Sequence, residues 1–250
     1  MPQVRRGRPG RGDFVSQCLV LFDIDGTLLL SGGAGRRAVL RAIADEAAID
    51  AETVDRVRFD GKTDPAIVSE LFATAGRAGE CNPDRIQRVI DRYLIHLEAD
   101  LAINAHRATV MPGVFALLDR LAADSRVVLG LLTGNVSQGA SAKLRAVGIA
   151  PDRFRLGAYG SDHALRSELP PIAVERAVPF FGRQVTGPEV VIIGDTPADV
   201  TCGQGIGARA IAVATGGFST EQLADAGAHA VFGDLSSVDE VHRCIVGSSP

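Results

Sequence analysis

Four aspartates have a spacing that could support chemistry at one point of a fold. Asp23 and Asp25 directly follow an apolar run at residues 18–22, while Asp195 follows a later run and Asp199 comes four residues after it. Runs that are apolar at nearly every position are typical of parallel strands covered on both faces. Parallel strands lie about 4.8 Å apart and end at one edge of the sheet, so these carboxylates are expected to converge there. Such a cluster repels itself without a cation, and oxygen ligands alone favour Mg²⁺.

The strands needed to position these residues are predicted from short apolar runs, each followed by a polar or glycine-rich turn. They lie at residues 18–22, 127–132, 190–193 and 210–213, with a weaker one at 230–232. Helical patterns lie between them, at residues 138–147, 172–178 and 198–206. This repeated order of strand, turn and helix predicts an α/β fold with a Rossmann-like open parallel sheet.

One interval, from residue 35 to residue 111, shows helical patterns only. Helices are predicted at residues 38–48, 65–75 and 83–101, with Pro65 and Pro83 near two of the starts, where proline is tolerated. An all-helical insertion after the first strand would cover the carboxyl ends of the sheet, where open α/β folds bind ligands. We therefore expect an α/β core of residues 18–33 and 111–250 and an inserted helical cap domain of residues 34–110.

The charge distribution and the composition argue against some classes of binding partner. The net charge is −4, but residues 1–17 hold four arginines and one acidic residue, which leaves an acidic body. An acidic body argues against a nucleic-acid partner, and the Gly- and Pro-rich tail is predicted to be disordered. No apolar run has the length of a membrane span. The four cysteines are scattered, which favours a reducing compartment, and the cytoplasm is the expected location.

Three segments carry a family resemblance. They are L-V-L-F-D-I-D-G-T-L around Asp23, L-G-L-L-T-G-N ending at Asn135, and V-I-I-G-D-T-P-A-D-V around Asp195. In this order, and at these predicted strand ends, they resemble the motifs of the haloacid dehalogenase superfamily, in particular its phosphoglycolate-phosphatase-like branch. The resemblance implies a Mg²⁺-dependent phosphatase that acts on a small phosphorylated metabolite. It leaves the oligomeric state open.

The resemblance also implies roles for individual residues. Asp23 would attack phosphorus and carry the phosphoryl group, and Asp25 would protonate the leaving oxygen and then activate water. Thr133 would hold a phosphoryl oxygen through its hydroxyl group. The backbone N–H groups of Gly134 and Asn135, at the start of a helix, lie where an anion is favoured.

The metal ligands follow from the same resemblance. Asp23, Asp25 and Asp195 would hold the ion, and Asp199 would orient it or a bound water. Taken alone, Thr133 could be only a helix cap, and Asp199 could only offset a helix dipole. The complete set favours the functional interpretation.

The third motif departs from the family. The family usually has a lysine there, after the strand that follows the second-motif helix, whereas this chain has none beyond Lys143. Lys143 lies eight residues past Asn135, about 12 Å along a helix, and is predicted to be solvated and to point away from the site. Arg166 is the predicted substitute, since it keeps the charge and can bind two oxygens. The alternative is that Arg166 forms a surface salt bridge.

In the predicted cap, the segment F-D-G-K-T-D-P resembles the turn through which related caps contact the substrate. Lys62 would then meet an anionic group such as a carboxylate, and Thr63 would add a hydrogen bond. The alternative is a helix start, with Thr63 or Asp64 as the N-cap residue and Pro65 in the first turn. The two interpretations are compatible.

Two other functions share this motif set. A phosphomutase uses the same machinery to transfer the phosphoryl group to a sugar hydroxyl, and a catalytically silent relative would serve as a binding or regulatory protein. Asp25 argues against dehalogenation, which needs no proton donor at that position. The intact aspartates favour catalysis, while the missing lysine of the third motif favours the silent relative.

Overall fold

The computed structural model describes residues 17–247, so the predicted basic tail of residues 1–17 lies outside the described part of the chain except for its last residue. The strands within this range are β1 (Cys18–Phe22), β2 (Leu29–Leu30), β3 (Thr109–Val110), β4 (Val127–Thr133), β5 (Leu156–Tyr159), β6 (Val190–Gly194), β7 (Arg209–Val213) and β8 (Ala230–Phe232). The α-helices are α1 (Ala34–Ala47), α2 (Ala51–Asp55), α3 (Asp64–Thr74), α4 (Pro83–Ile103), α5 (Val114–Ala122), α6 (Ser137–Ala146), α7 (Leu169–Phe181), α8 (Pro197–Cys202), α9 (Thr220–Asp225) and α10 (Val238–Val246).

Six of the strands form one parallel sheet in the order β5-β4-β1-β6-β7-β8. Every residue of the central strand β1 is buried. Val20 and Phe22 belong to the apolar cluster on one face of the sheet, and Leu19 and Leu21 belong to the cluster on the other face. This two-sided burial explains why the run is apolar without alternation, and it confirms the predicted α/β fold class.

One strand of this sheet was not predicted from the sequence. β5 lies at the edge of the sheet and pairs with β4 alone. Only Gly157 and Ala158 of its four residues are buried, while Leu156 and Tyr159 are half-buried. A short edge strand with one covered pair of residues lacks the continuous apolar pattern from which the other strands were predicted.

The helices α1 to α4 lie between β2 and β3, which pair with each other as a short antiparallel ribbon. Helices α1, α3 and α4 match the three predicted helices of this interval, and the short α2 was not predicted. Their apolar side chains form a cluster of their own, which also includes Val136 at the start of α6. The side-chain cap from Asn82, with Pro83 in the first turn, fixes the start of α4. Within residues 17–247, the helices are too short or too polar to cross a membrane.

Candidate active site

Three buried aspartates meet at the carboxyl edge of the central strands. Asp23, Asp195 and Asp199 each place a carboxylate oxygen within 4.8 Å of those of the other two. Asp23 follows β1 and Asp195 follows β6, and these strands are neighbours in the sheet. The backbone N–H of Asp23 donates to Ile193 O at 2.9 Å, which holds the two strand ends together. The predicted convergence therefore brings together three of the four carboxylates, and that of Asp25 lies outside this group.

The Asp195 carboxylate fits where it does because two neighbouring residues are glycines and have no side chain. A Cβ at Gly26 would lie 2.3 Å from Asp195 Oδ2, and one at Gly216 would lie 1.8 Å from the same oxygen. Gly26 also has a φ of 84°, a conformation that side chains disfavour. Thr27 Oγ1 donates to Asp195 Oδ1 at 3.1 Å and fixes the carboxylate between the two loops.

Two of the three aspartates, Asp23 and Asp195, are harder to ionise than a free carboxyl group. Burial raises the pKa of Asp23 to about 6, although the charge of Arg166 opposes this shift. Burial also raises the pKa of Asp195 to about 8, and the nearby Asp199 and Asp23 add to it. Carboxyl groups that resist ionisation together in one buried cluster are stabilised as anions by a divalent ion, and a set of oxygen donors fits a hard cation such as Mg²⁺.

Arg166 reaches this cluster from the loop before α7. Its Nη2 lies 3.1 Å from Asp23 Oδ1 and also contacts Asp199 Oδ1, and its side chain is only 8% exposed. Asp199 in turn accepts a hydrogen bond from the backbone N–H of Thr196 at 3.0 Å, within the capping box that starts α8. Arg166 is therefore positioned as predicted for a substitute of the missing lysine, and its salt bridges are buried rather than on the surface.

A second group of polar side chains surrounds the carboxylate of Asp25. Thr133, the last residue of β4, is fully buried, and its Oγ1 accepts from Asn135 Nδ2 at 2.9 Å. Asn135 Nδ2 also lies 2.9 Å from Asp25 Oδ2. Lys143 Nζ donates to Asp25 Oδ2 and to Asn135 Oδ1, each at 2.6 Å.

The prediction that Lys143 is solvated and points away from the site is therefore wrong. Its side chain is 5% exposed. Helix α6 begins only at Ser137, so Lys143 lies in its second turn. Side chains on a helix lean towards its N-terminus, and the long flexible stem of a lysine extends that reach. The distance along the helix axis takes neither the lean of the side chain nor its length into account.

The predicted cap segment contacts the same edge of the sheet. Lys62 lines the cavity over the aspartates and pairs with Glu70. Thr63 is buried: its hydroxyl donates to Ala164 O at 2.5 Å and accepts from Ala66 N at 3.2 Å as the N-cap of α3. The structure thus places Thr63 in a contact with the loop before Arg166 and not in the lining of the cavity.

Asp64 links this segment to the start of α6. Its backbone N–H donates to Gly134 O, and its Oδ2 accepts from Val136 N, both at 2.8 Å. Gly134 makes this approach possible, because a Cβ there would lie 2.0 Å from Lys62 O. Burial raises the pKa of Asp64 to about 6, and the charge of Lys143 opposes the rise.

The two halves of the site enclose a cavity of about 180 Å³. The sheet edge and its loops contribute acids, a threonine, an amide and two cations: Asp23, Asp25, Thr133, Asn135, Lys143, Arg166 and Asp195. The helical segment contributes a mixed wall that includes Arg36, Val39, Phe59, Lys62, Ile67 and Tyr93. A ligand in this cavity would touch both parts at once.

Comparison with known proteins decides the family. A family model described as haloacid dehalogenase-like hydrolase matches residues 20–204, which contain the aspartates, Thr133, Lys143 and Arg166. The chain belongs to the haloacid dehalogenase-like hydrolases. The resemblance drawn from the three motifs is thereby confirmed, as is the prediction of a hydrolase.

Individual proteins that are similar to this chain are consistent with the family assignment. A phosphoglycolate phosphatase of Rhodospirillum rubrum is 30% identical over 225 residues, which cover 88% of this chain and 89% of the relative. Among solved structures, a hydrolase from Pseudomonas syringae aligns with a TM-score of 0.68 at 20% identity, covering 91% of this chain and 98% of that one. A predicted phosphoglycolate phosphatase from Haemophilus somnus aligns with a TM-score of 0.69 at 17% identity, covering 92% and 99%. The two structures show that the fold is shared.

Sequence reasoning missed two residues of this haloacid dehalogenase-like site. The sequence predicts Lys143 outside the site and Asp64 only as a cap of its own helix, whereas Asp64 accepts a hydrogen bond at the start of α6. A signal for Lys143 was available, because the chain has only two lysines against many arginines and both line the cavity. The contact of Asp64 depends on tertiary packing and has no local signal.

Proposed function

We propose that this protein is a Mg²⁺-dependent phosphatase that hydrolyses a small phosphomonoester through an aspartyl-phosphate formed on Asp23. The observation that carries the proposal is the buried group of Asp23, Asp195 and Asp199 with the guanidinium of Arg166 3.1 Å from Asp23. A carboxylate at the end of a buried strand, with a cation beside it, is suited to nucleophilic attack on phosphorus.

The proposed reaction has two steps, phosphoryl transfer to Asp23 and hydrolysis of the aspartyl-phosphate. A carboxylate oxygen of Asp23 bonds to phosphorus as the ester P–O bond breaks, and Asp25 gives its proton to the leaving oxygen. Asp25 then takes a proton from a water molecule, whose oxygen attacks the phosphorus of the aspartyl-phosphate. The bond to Asp23 breaks, and inorganic phosphate and the free carboxylate are released.

Donors around the cavity would hold the phosphoryl oxygens. Thr133 would contribute its hydroxyl, and Gly134 and Asn135 would contribute backbone N–H groups at the start of α6. Arg166 has a buried Nε–H with no hydrogen-bond partner within residues 17–247, a donor that a phosphoryl oxygen would satisfy. Asp23 and Asp195 would hold Mg²⁺, with Asp25 as a further predicted ligand and Asp199 as the orienting residue. When bound, the ion offsets the negative charge of the phosphoryl group and the carboxylates.

The substrate is proposed to be small because the cavity is small and is covered by the helical segment, which we propose to act as a cap of residues 34–110. Lys62 is the predicted contact for a second anionic group of the substrate, and it would exchange its partner Glu70 for that group. The relative from Rhodospirillum rubrum is a phosphoglycolate phosphatase, and phosphoglycolate carries such a carboxylate. Phosphoglycolate is therefore the first substrate to test.

The first experiment compares phosphate release by the wild type and by Asp23→Asn, with and without Mg²⁺, on phosphoglycolate and on an aryl phosphate. Release that requires both the metal and Asp23 is expected. Activity that survives in Asp23→Asn would exclude the aspartyl-phosphate mechanism. Transfer to a sugar hydroxyl without net release would show a phosphomutase, and a folded wild type inert towards a broad substrate panel would favour the silent relative.

A further inference from the structure

We propose that Lys143 is a positioning residue for Asp25, an inference that rests on the phosphatase mechanism proposed above. The Lys143 ammonium and the Asn135 amide both contact Oδ2 of Asp25, at 2.6 and 2.9 Å. Lys143 also contacts Asn135 Oδ1 at 2.6 Å, which closes a triangle of three side chains. Oδ1 of Asp25 has no hydrogen-bond partner within residues 17–247, so the triangle leaves one oxygen for proton transfer.

Burial of the Lys143 ammonium costs desolvation free energy, which contacts with anionic groups must offset. Its side chain is 5% exposed, and the nearby α6 residues Ala140 and Leu144 are apolar and fully buried. A buried ammonium is unfavourable unless it is paired, and an apolar side chain would fill the same place without that penalty. The partners that compensate it are the carboxylate of Asp25 and, from the helical segment, the charge of Asp64.

The helical segment confines the ammonium to this position. A Cβ at Gly35 of α1 would lie 3.3 Å from Lys143 Nζ, so the glycine provides the room that the ammonium occupies. Tyr93 of α4 is 2% exposed and lines the same cavity. Lys143 is thus enclosed between core and helical segment, and a rigid partner of this kind can hold Asp25 at the angle that proton transfer requires.

Two other roles for Lys143 make different predictions. If Lys143 only offset negative charge in the cavity, its loss would affect every substrate equally. If it bound the second anionic group of the substrate, its loss would affect only substrates that carry one. A positioning residue for the proton donor affects those substrates whose leaving group needs a proton.

The experiment therefore measures kcat/KM, which reports the first phosphoryl transfer, for Lys143→Met on three substrates. Phosphoglycolate and ethyl phosphate have alkoxide leaving groups that need a proton, and only the former carries a second charge. The leaving group of 2,4-dinitrophenyl phosphate needs none. We expect kcat/KM to fall about 10- to 100-fold on both alkyl phosphates, within the usual contribution of general acid catalysis, with little change on the dinitrophenyl ester.

Controls accompany this comparison. Lys143→Arg keeps a cation and should recover part of the loss on the alkyl phosphates. Arg145→Met, an exposed position on the same helix, should leave all three values unchanged. Thermal unfolding shows whether Lys143→Met is folded, and Lys143→Gln replaces it in the comparison if it is not.

Equal losses on all three substrates, a loss confined to phosphoglycolate, or no loss at all would each overturn the positioning role. The proposed function itself is tested separately, by the activity of the wild type and of Asp23→Asn. If the folded wild type is inert towards these substrates and a broad panel, or if activity survives in Asp23→Asn, the mechanism falls and the role of Lys143 falls with it.

Discussion

At the scale of single residues, Arg166 is the cation that contacts Asp23, the proposed nucleophile. It contacts both Asp23 and Asp199 in a site with little access to solvent. We expect Arg166→Met to lower kcat by at least about 100-fold, the usual effect of removing a charge-stabilising donor. The variant should also lose about 3–5 kcal/mol of unfolding free energy, because two buried carboxylates lose their partner.

Steady-state kinetics and urea unfolding of Arg166→Met test this expectation. The matched control is Arg183→Met, which removes an arginine that pairs with Glu189 and is 45% exposed. A surface pair of this kind contributes little, so the control should behave as the wild type. Arg166→Lys should be intermediate, since it keeps the charge but lacks the planar guanidinium and its Nε–H donor. Wild-type kcat in Arg166→Met would show that another group serves as the cation.

The difference between Arg166 and Lys143 shows how far a sequence predicts a site. The approach of Arg166 to Asp23 could be predicted, because the family usually has a cation in the segment that follows the second-motif helix and the chain offers an arginine there. The contact of Lys143 with Asp25 could not, because it depends on where α6 begins and on which side chains cover it. Gly35, which makes room for the ammonium, is more than a hundred residues away in the sequence.

At the scale of secondary-structure elements, the ends of the central strands can be predicted from the sequence, whereas contacts between helices cannot. The central strands carry their signal in continuous apolar runs, since both faces are covered. The edge strand β5 lacks that signal. The contact between Asp64 and Val136 joins the start of α3 to the start of α6, and neither helix indicates it alone.

The burial of Asp64 at this contact predicts a pH dependence of stability. The pKa of Asp64 is raised from 3.8 to about 6 in the folded protein, chiefly by burial. The folded state therefore binds a proton more readily than the unfolded state. The stability that protonated Asp64 confers is complete below its unfolded pKa and is lost as the pH rises through about 6.

Asp64→Asn removes this titration while keeping an acceptor for Val136 N. The wild type should lose about 3 kcal/mol of unfolding free energy relative to the variant between about pH 3 and pH 7. Urea unfolding at several pH values measures the difference, in which groups common to both proteins cancel. Asp50→Asn is the contrast, because Thr53 lowers the pKa of Asp50 and the trend should have the opposite sign. A pH-independent difference for Asp64→Asn would show that this carboxyl group is not perturbed.

At the scale of the whole molecule, the proposed metal site would couple ion binding to folding. Two loops that follow neighbouring central strands supply Asp23 and Asp195, so a bound ion would tie these loops together in the folded state and would have no such site in the unfolded chain. A ligand that binds only the folded state stabilises it by about 2.7 kcal/mol at a hundred times its Kd. For a chain of this size that corresponds to a rise in Tm of roughly 5–10 °C.

We therefore expect Mg²⁺ to raise the Tm of the wild type and a chelator to reverse the rise. Asp195→Asn should show almost no response to Mg²⁺. Without metal this variant should be at least as stable as the wild type, because the amide replaces a carboxyl group whose pKa is raised to about 8 by its own burial and by the charges of Asp199 and Asp23. Asp152→Asn, at an exposed position, should respond as the wild type. If Asp195→Asn gained as much from Mg²⁺ as the wild type, the ion would be bound elsewhere, and the three aspartates would repel one another without serving as its ligands.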